Sequence, residues 1–417
     1  MGEWRPLTGP SRQVALEILL DGPLSRAELS RRVGLSPGSL TRLTKPMVES
    51  GLLVETPAGQ TAAPSHPGRP TNARSTRQTG AGVGQTADLG QADRSTDARV
   101  GRPSQPLDLD PAAHHFVGVK LTGDSAIGVL TTLRAETIAS IERPLTDHTP
   151  SAVAALVLEL ADDLAAQTPG QRPISGLGVT VGGRVSATSE VRWGPYLDWV
   201  DVPLGDLLAT GTDVPVVVAN DLDALTEATH WFGAGRGSER FVLLTIGVGI
   251  GYGLVVHNRT VDSPDTSIGL IGHHPLVTDG PRCDRGHHGC AMSLLTVGAI
   301  TEQVGNALGR PIDYEECLDL AAKGDAAATQ VVSRAGRALG RLIAAAANFT
   351  MPELVVLGGE GVRLAEVAHD ELLAGLHADR HPSGAELPMV LQPADFTEWA
   401  RGAAVVAIQT FVLGNSN

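Results

Sequence analysis

The chain has 417 residues, of which 42% are hydrophobic and only 3% aromatic, and its length predicts two or three domains. No apolar run approaches the ~20 residues that cross a bilayer. The first residues carry no apolar signal segment, so we expect neither secretion nor a membrane partner. Three cysteines are too few for a disulfide framework and favour a reducing cytoplasm.

The net charge of −14 is distributed unevenly along the chain. Residues 1–105 contain 13 basic and 9 acidic residues, whereas the remainder contains 19 basic and 37 acidic residues. Such asymmetry favours a basic nucleic-acid module joined to an acidic body, although ordinary scatter produces a difference of this size as well.

Three helical segments and a short strand fill the first part of the chain. Ser25 with Glu28 forms a capping-box pattern, and Ser36 followed by Pro37 is typical of another helix start. Pro46 should kink or end the last helix near its middle. The layout is that of a winged helix-turn-helix. We expect helices within 11–22, 25–34 and 35–51, a strand at 52–56, and a domain spanning 1–56.

The third of these helices would lie in the major groove of double-stranded operator DNA. Its outward side chains are short hydroxyls and cations, which reach base edges or phosphates. A small helical bundle that binds another protein is the alternative interpretation. The DNA-contacting residues expected here are Ser36, Ser39, Thr41, Arg42 and Lys45.

Residues 57–97 contain almost no large apolar side chains. They cannot offset their own ordering entropy, so we interpret them as a disordered insertion or linker. Order should return at 98–110 as the second strand of the wing. Gly-Arg-Pro occurs twice; a plain turn suits Arg69, whereas Arg102 is expected to contact a narrow minor groove.

From residue 114 onward, strand-like runs alternate with helical segments, which predicts an α/β body with mixed sheets and two halves of similar pattern. The first three strands are expected at HHFVGVKL, SAIGVLTT and ETIASIER, and the longest helices at 151–167, 221–233 and 325–350.

Six segments of this body resemble, in the same order, the repressor/kinase family known as ROK. They are VANDLDA, IGVGIGYG, IGLIGH, CDRGHHGCAM, WGPYLDWVDVPL and ELVVLGGEG. The resemblance covers the whole chain except the insertion, and the regulator branch of the family carries an N-terminal winged helix. It implies a two-lobed, actin-like (ribonuclease H-like) body, with lobe 1 at 111–219 plus 393–417 and lobe 2 at 220–392.

The resemblance also implies which residues contact a small-molecule effector. In the family's kinases the residue matching Asp221 deprotonates the sugar, and the one matching Asn220 holds it. The two could instead merely cap a helix. Gly183 and His273 complete the expected effector contacts, and Asp221 would be a vestigial base.

Several departures from the family's pattern argue against catalysis. Lys120 stands where the kinases carry the Asp of D-I-G-G-T, and Asp124 stands at the Thr of that motif, so the chain lacks the groups that organise metal and phosphate. Leu270 and Met292 replace two glutamates that contact sugar hydroxyls in the family. We therefore expect no enzyme activity and no ATP.

The stretch GHHPLVTDGPRCDRGHHGC combines four histidines with two of the three cysteines. His273, Cys283 and Cys290 match three ligands of the family's zinc site, but Arg285 stands at the middle cysteine. Structural zinc takes four Cys or His ligands, so His287 or His288 is expected to supply the fourth. A degraded site held by packing alone is the alternative for this loop at 273–290.

These observations predict a sequence-specific transcription regulator, with repression as the family-typical mode, that senses a sugar or sugar derivative. An ATP-dependent sugar kinase with a DNA-binding extension is one alternative, and an effector-dependent protein-interaction module is another. The resemblance implies homodimers or homotetramers.

Overall fold

The computed structural model describes residues 6–56, 105–263, 265 and 269–414. They form two compact units, Gln13–Asp110 and a larger unit that combines Met1–Arg12 with Pro111–Asn417. The insertion at 57–97 lies outside the described residues, as do Arg69 and Arg102. Among the described helices, none is both long and apolar enough to cross a membrane.

The smaller unit is a set of short helices closed by a two-stranded sheet. In this sheet Leu53 pairs with Leu109 and Glu55 with Leu107, in antiparallel register. The helices are α1 (Gly9–Asp21), α2 (Arg26–Val33) and α3 (Pro37–Glu49), and the strands are β1 (Leu53–Glu55) and β2 (Leu107–Leu109).

Side-chain caps define where these helices begin. The Ser25 hydroxyl accepts the Glu28 backbone N–H at 3.1 Å, and the Glu28 carboxylate pairs with Arg32 at 3.0 Å. Of the two effects expected of Pro46, an end of α3 near its middle is wrong, because the helix continues to Glu49. A kink at Pro46 stays a prediction. Met47 is fully buried just beyond the proline, and its burial, worth about 2 kcal/mol, offsets much of the cost of a proline inside a helix.

The first sheet of the larger unit has the strand order β10-β6-β3-β4-β5. β3, β4 and β5 form an antiparallel meander, and β6 and β10 add in parallel on the other side of β3. Its strands are β3 (His115–Leu121), β4 (Ser125–Thr132), β5 (Thr137–Pro144), β6 (Gly176–Val181) and β10 (Val216–Asn220).

Two helices and a small sheet accompany the first sheet. The apolar side of α4 packs on the strands through buried Val153, Val157 and Leu160. The added elements are α4 (Pro150–Ala165), α5 (Leu204–Ala209), and the small sheet of β7 (Arg184–Val185), β8 (Val191–Gly194) and β9 (Trp199–Val202).

The second sheet has the strand order β13-β12-β11-β14-β15 and carries most of the remaining helices. Its strands are β11 (Arg240–Ile246), β12 (Ile250–Val256), β13 (Arg259–Thr260), β14 (Leu354–Gly358) and β15 (Met389–Leu391). The helices are α7 (Ala291–Leu295), α8 (Val297–Leu308), α9 (Tyr314–Ala322), α10 (Ala326–Thr350), α11 (Leu364–Val367) and α12 (His369–Asp379).

Two helices, α6 (Asp221–Phe232) and α13 (Thr397–Phe411), connect the halves of the larger unit. The C-terminal helix α13 lies on β3, β4 and β6 and packs against α6, which also contacts β12. The approach is close, since a Cβ added at Gly118 would lie 2.1 Å from the Ala400 carbonyl oxygen. The predicted fold class, an α/β body preceded by a winged-helix unit, is confirmed.

A methyl group at Gly118 should separate α13 from the first sheet. We expect Gly118→Ala to lower the free energy of unfolding by about 3 kcal/mol, because the added Cβ overlaps backbone atoms that cannot move independently. Urea denaturation measures this loss. Gly298→Ala on α8 is the matched control, since its Cβ would meet nothing within 4 Å; an equal loss in both variants would contradict the close-packing argument.

Candidate effector cleft, metal cluster and DNA-binding helix

A buried ion pair joins β3 to the start of α6. The Lys120 ammonium donates to Oδ2 of Asp221, and their side chains are only 5% and 14% exposed. The Lys120 Nζ also lies 5.4 Å from the ring centroid of Trp399 on α13, which is a cation–π distance. The cation that replaces the family's phosphate-side carboxylate is therefore held at the centre of the larger unit.

Both oxygens of the Asp221 carboxylate are engaged within the protein. Oδ2 accepts from Lys120, and Oδ1 accepts the Leu222 backbone N–H at 2.8 Å. These two contacts hold the carboxylate between β3 and the first turn of α6. The structure thus places Asp221 in a buried ion pair, and its expected role as a vestigial base stays a prediction.

Asn220 and Gly183 form a second contact next to this pair. The Asn220 side chain caps α6, accepting the N–H groups of Leu222 and Asp223 at 2.9 and 3.0 Å. Its amide nitrogen donates to the Gly183 carbonyl at 2.7 Å. Gly183 has a φ of 122°, and a Cβ there would lie 2.1 Å from the Trp193 carbonyl oxygen, so a side chain cannot be accommodated.

The glycine-rich turn between β11 and β12 is occupied by a carboxylate of the protein itself. The Val248 N–H in this turn donates to Oε1 of Glu360 at 2.9 Å. A Cβ added at Gly247 would lie 2.3 Å from the same oxygen. Backbone N–H groups of such turns are the ones that approach a bound phosphate, so Glu360 fills a place where a phosphate oxygen would bind.

Tyr196 connects the two ends of this cleft. Its ring lies against Gly182 in the first lobe, and its hydroxyl lies 3.4 Å from a Cβ built on Gly249 in the glycine-rich turn. Partial burial raises the pKa of Tyr196, and the nearby negative charges of Asp221 and Glu360 raise the pKa further. Neither Tyr196 nor Glu360 was expected from the sequence, although Glu360 directly follows the two glycines of the ELVVLGGEG motif.

The positions at which family residues are replaced lie in different surroundings. Leu270 is 64% exposed, whereas Met292 packs against Gly272 and the apolar core of the second lobe. Asp124 is exposed, and its carboxylate accepts the Thr122 hydroxyl at 2.8 Å.

Two histidines and two cysteines come together as a candidate metal centre. One ligand atom from each of His273, Cys283, His287 and Cys290 lies within 4.8 Å of the other three. The Cys283 sulfur is 3.7 Å from Nδ1 of both His273 and His287. His288 instead places its Nδ1 3.4 Å from the Gly280 carbonyl. Of the two alternatives for a fourth ligand, the geometry therefore selects His287.

A tight turn shapes this cluster. The Cys283 N–H donates to the His287 carbonyl, and the Gly286 N–H donates to the Cys283 carbonyl, both at 2.9 Å. Gly286 has a φ of 88°, which a glycine adopts without strain. The turn brings residues 283 and 287 face to face, while fully buried Cys290 caps α7.

The directions of the pKa shifts at the cluster favour the unprotonated forms that bind metal. Burial lowers the pKa of His273, as do the neighbouring His287 and the charge of Arg285. Burial raises the pKa of the Cys283 thiol, but backbone N–H groups at His287 and Arg285 outweigh it, so the net shift is downward. Neutral imidazole and thiolate are the forms that bind metal, and two of each suit zinc.

The DNA-binding residues expected on α3 divide into capping groups and solvent-exposed groups. Ser36 caps α3 by accepting the Ser39 N–H at 3.2 Å, and the Thr41 hydroxyl donates to the Pro37 carbonyl. Lys45 is exposed and lies 3.7 Å from Glu49. Arg42 is also exposed, and within the described residues it forms no ion pair.

The fold defines a mixed α/β body with two five-stranded sheets, preceded in the chain by a winged-helix unit. Residues 116–388 match the ROK family, and residues 15–54 match a winged helix-turn-helix DNA-binding family. The chain belongs to the ROK family.

Both regulators and kinases are among its relatives. The DNA-binding transcriptional dual regulator NagC of Escherichia coli strain K12 is 26% identical over 350 residues, which cover 81% of this chain and 77% of NagC. The glucokinase of Thermotoga maritima is 32% identical over 230 residues, which cover 52% of this chain and 70% of the glucokinase. A solved ROK family transcriptional regulator, a homologue of the E. coli Mlc protein, has the same fold, with a TM-score of 0.76, 23% identity and coverage of 97% and 98%.

Breaking the buried ion pair from one side should be more harmful than removing it altogether. We expect Lys120→Met to destabilise the protein by about 3–5 kcal/mol, because it leaves the Asp221 carboxylate buried without a partner. Lys120→Met combined with Asp221→Asn should recover much of that loss. Urea denaturation of the two single variants and the double variant measures the coupling.

The control for this cycle is the exposed pair of Arg143 and Asp163, whose side chains are 44% and 55% exposed. Arg143→Met should cost at most about 1 kcal/mol. Additive losses at Lys120 and Asp221 would show that the two charges do not depend on each other.

Proposed function

We propose that this protein is a sequence-specific, DNA-binding transcription regulator, acting as a repressor of carbohydrate-related genes. In this proposal the ROK body senses a sugar or sugar derivative without phosphorylating it. The observation that carries the proposal is the Lys120–Asp221 ion pair, in which Lys120 engages the residue that matches the family's catalytic base. The same chain retains a winged-helix unit. The relationship to NagC supports the same function.

Catalytic silence rests on both ends of the cleft. Phosphoryl transfer needs a positioned base, a bound metal ion and groups that balance the γ-phosphate charge. The Lys120 ammonium donates to the Asp221 carboxylate, and the Glu360 carboxylate accepts the Val248 N–H of the glycine-rich turn. A nucleotide phosphate entering this turn would meet a negative charge that is already hydrogen-bonded there, so we expect no ATP to bind.

An ATP-dependent sugar kinase with a DNA-binding extension is the alternative function. The relationship to the glucokinase of Thermotoga maritima favours it. The same positions that support the regulator count against the kinase, because both Lys120 and Glu360 would have to move before ATP could react.

An enzyme assay separates these two functions. We expect the purified protein, supplied with ATP, Mg²⁺ and a panel of aldoses and amino sugars, to release no ADP above background. A turnover in the ordinary kinase range of ~1–100 s⁻¹ would instead establish the alternative.

DNA recognition is proposed for α3, with Ser36, Ser39, Thr41, Arg42 and Lys45 as its contacting residues. Replacing both Arg42 and Lys45 by Ala should weaken binding to a DNA fragment selected from a random pool by a few kcal/mol, at ~1–3 kcal/mol for each base-specific contact. The salt dependence should also become shallower by about one unit per lost phosphate contact. Fluorescence anisotropy titrations at several salt concentrations measure both quantities.

A matched control removes the same two charges elsewhere. Arg259 and Lys323 are exposed residues of the larger unit, and changing both to Ala should leave the affinity unaltered. Equal affinities for the Arg42/Lys45 variant and the wild type would favour the helical unit as a protein-binding module.

We also propose that the cluster of His273, Cys283, His287 and Cys290 holds one structural zinc ion. In the proposal the ion braces the wall of the effector cleft, because His273 ends the short helical turn at Leu270–His273 while Cys290 begins α7. Its chemistry there is to fix the loop, with no part in a reaction.

The metal content of single variants tests this ligand set. The purified protein should carry about one zinc ion per chain, as a closed four-ligand site requires. His287→Ala and Cys283→Ser should lose the metal and lower the melting temperature, since binding energy at a structural site is partly folding energy. His288→Ala, the matched neighbour, should keep it; a wild-type protein without metal, equal in stability to Cys283→Ser, would identify a degraded site held by packing alone.

Gly183, Asn220, Asp221 and His273 are the proposed effector contacts around the cleft. Asn220 and Asp221 already form hydrogen bonds within the protein. They would therefore determine the shape of the cleft more than they bind the ligand. We further propose a cytoplasmic homodimer or homotetramer, because two winged-helix units reading two half-sites bind DNA more tightly than one.

A further inference from the structure

The larger unit contains a second recess, beside the metal cluster, with a volume of about 560 Å³. Three arginines line it, Arg184, Arg192 and Arg285, together with Trp193 and His273. We propose that this recess binds an anionic group, a phosphate or a carboxylate, carried by the effector. The inference rests on the proposed function and names the chemical class of the ligand that the regulator senses.

The charges around the recess are positive and only partly compensated. Arg192 lies 3.0 Å from Glu190 and 3.2 Å from Asp201, which hold its side chain in place. Arg184 and Arg285 are exposed, and among the residues that the structure describes neither forms an ion pair. Two guanidinium groups are therefore available to donate paired hydrogen bonds to a planar or tetrahedral oxyanion.

This concentration of cations runs against the composition of the body. Outside residues 1–105 the chain carries 37 acidic and 19 basic residues. Since Glu190 and Asp201 compensate Arg192, the local positive potential of this concavity comes from Arg184 and Arg285. Such a potential attracts an anionic ligand and disfavours a neutral competitor that gains nothing from it.

The remaining lining residues suit the carbon skeleton of a sugar. Trp193 is 41% exposed and lies directly opposite Arg184 in the register of β7 and β8. An exposed indole ring offers a flat apolar face against which a sugar ring can pack. Leu270, 64% exposed, adds an apolar contact where the family's kinases place a sugar-binding glutamate.

The recess is connected to the proposed effector cleft by the backbone itself. Arg184 directly follows Gly183, whose carbonyl accepts from Asn220. Gly182, one residue earlier, places its α-carbon beside the Asp221 carboxylate and the Tyr196 ring. One ligand can therefore rest its ring at Trp193 near the cleft while its charged substituent reaches the arginines.

Calorimetric titration of the full chain, at constant ionic strength, tests the proposal. The probes are glucose, glucose 6-phosphate, glucuronate, N-acetylglucosamine, its 6-phosphate, and inorganic phosphate alone. The variants are Arg184→Gln, Arg285→Gln and the double variant. Arg282→Gln is the matched control, because Arg282 is an exposed arginine on the same loop that does not line the recess.

We expect inorganic phosphate to bind weakly to the wild type, and at least one charged sugar to bind about tenfold or more tightly than its neutral counterpart. Each of Arg184→Gln and Arg285→Gln should weaken the binding of these anions by about tenfold, the effect of one lost charged hydrogen bond. The binding of neutral sugars should be unaffected. Arg282→Gln should behave as wild type. Preference for the phosphates or for glucuronate identifies the substituent.

The proposal is overturned if neither inorganic phosphate nor any of the charged sugars binds, or if anions bind equally well to the double variant and to the wild type. Binding that survives in the double variant but is lost in Cys283→Ser would assign the anion to the metal cluster instead. A neutral sugar that alone alters DNA binding would leave the proposed regulator intact and remove only this inference. Absence of DNA binding altogether would contradict the proposed function, whatever the titrations give.

Discussion

The structure of the larger unit depends on the requirement that a buried charge have a partner. Lys120 is nearly inaccessible at the middle of the first sheet, where an uncompensated ammonium would cost several kcal/mol. Asp221 satisfies it from the first turn of α6, and the Trp399 ring of α13 covers it. The ion pair thus joins a central strand to both helices that connect the two sheets. Asp221 thus takes part in the packing that joins the two sheets.

At the glycine-rich turn, too, a charged group has a partner within the protein. In a kinase the charges of the cleft are balanced only when nucleotide and metal arrive, because the site is built for ligands. In this chain Lys120 neutralises the carboxylate and the Val248 N–H satisfies Glu360 without any ligand. Tyr196 lies near both carboxylates, and the negative charges of Asp221 and Glu360 raise the pKa of its hydroxyl. Both carboxylates therefore have partners within the protein itself.

Local chemistry accounts for the features that the sequence predicts well. Helix starts at Ser25 and Ser36 follow from side chains that bond their own backbone, and the α/β alternation follows from hydrophobic periodicity. The Lys120–Asp221 pair was missed because the two residues are 101 positions apart and meet only through the order of strands in the first sheet. The sequence left His287 and His288 equivalent, since their difference arises from the turn at Gly286. The continuation of α3 beyond Pro46 to Glu49 does not follow from local sequence, because the burial of Met47 is a tertiary effect.

The loop between His273 and Cys290 contributes residues both to the candidate metal cluster and to the proposed anion site. A cysteine at position 285 would direct a thiolate toward the metal, whereas Arg285 is exposed and lines the recess. The cluster still presents two sulfurs and two imidazoles because the turn at Gly286 brings His287 to within 3.7 Å of Cys283. In the proposed zinc site, a ligand at position 287 in place of 285 would leave position 285 to a cation without reducing the number of donors. The candidate metal cluster and the proposed anion site therefore share one loop and two histidines, His273 and His287.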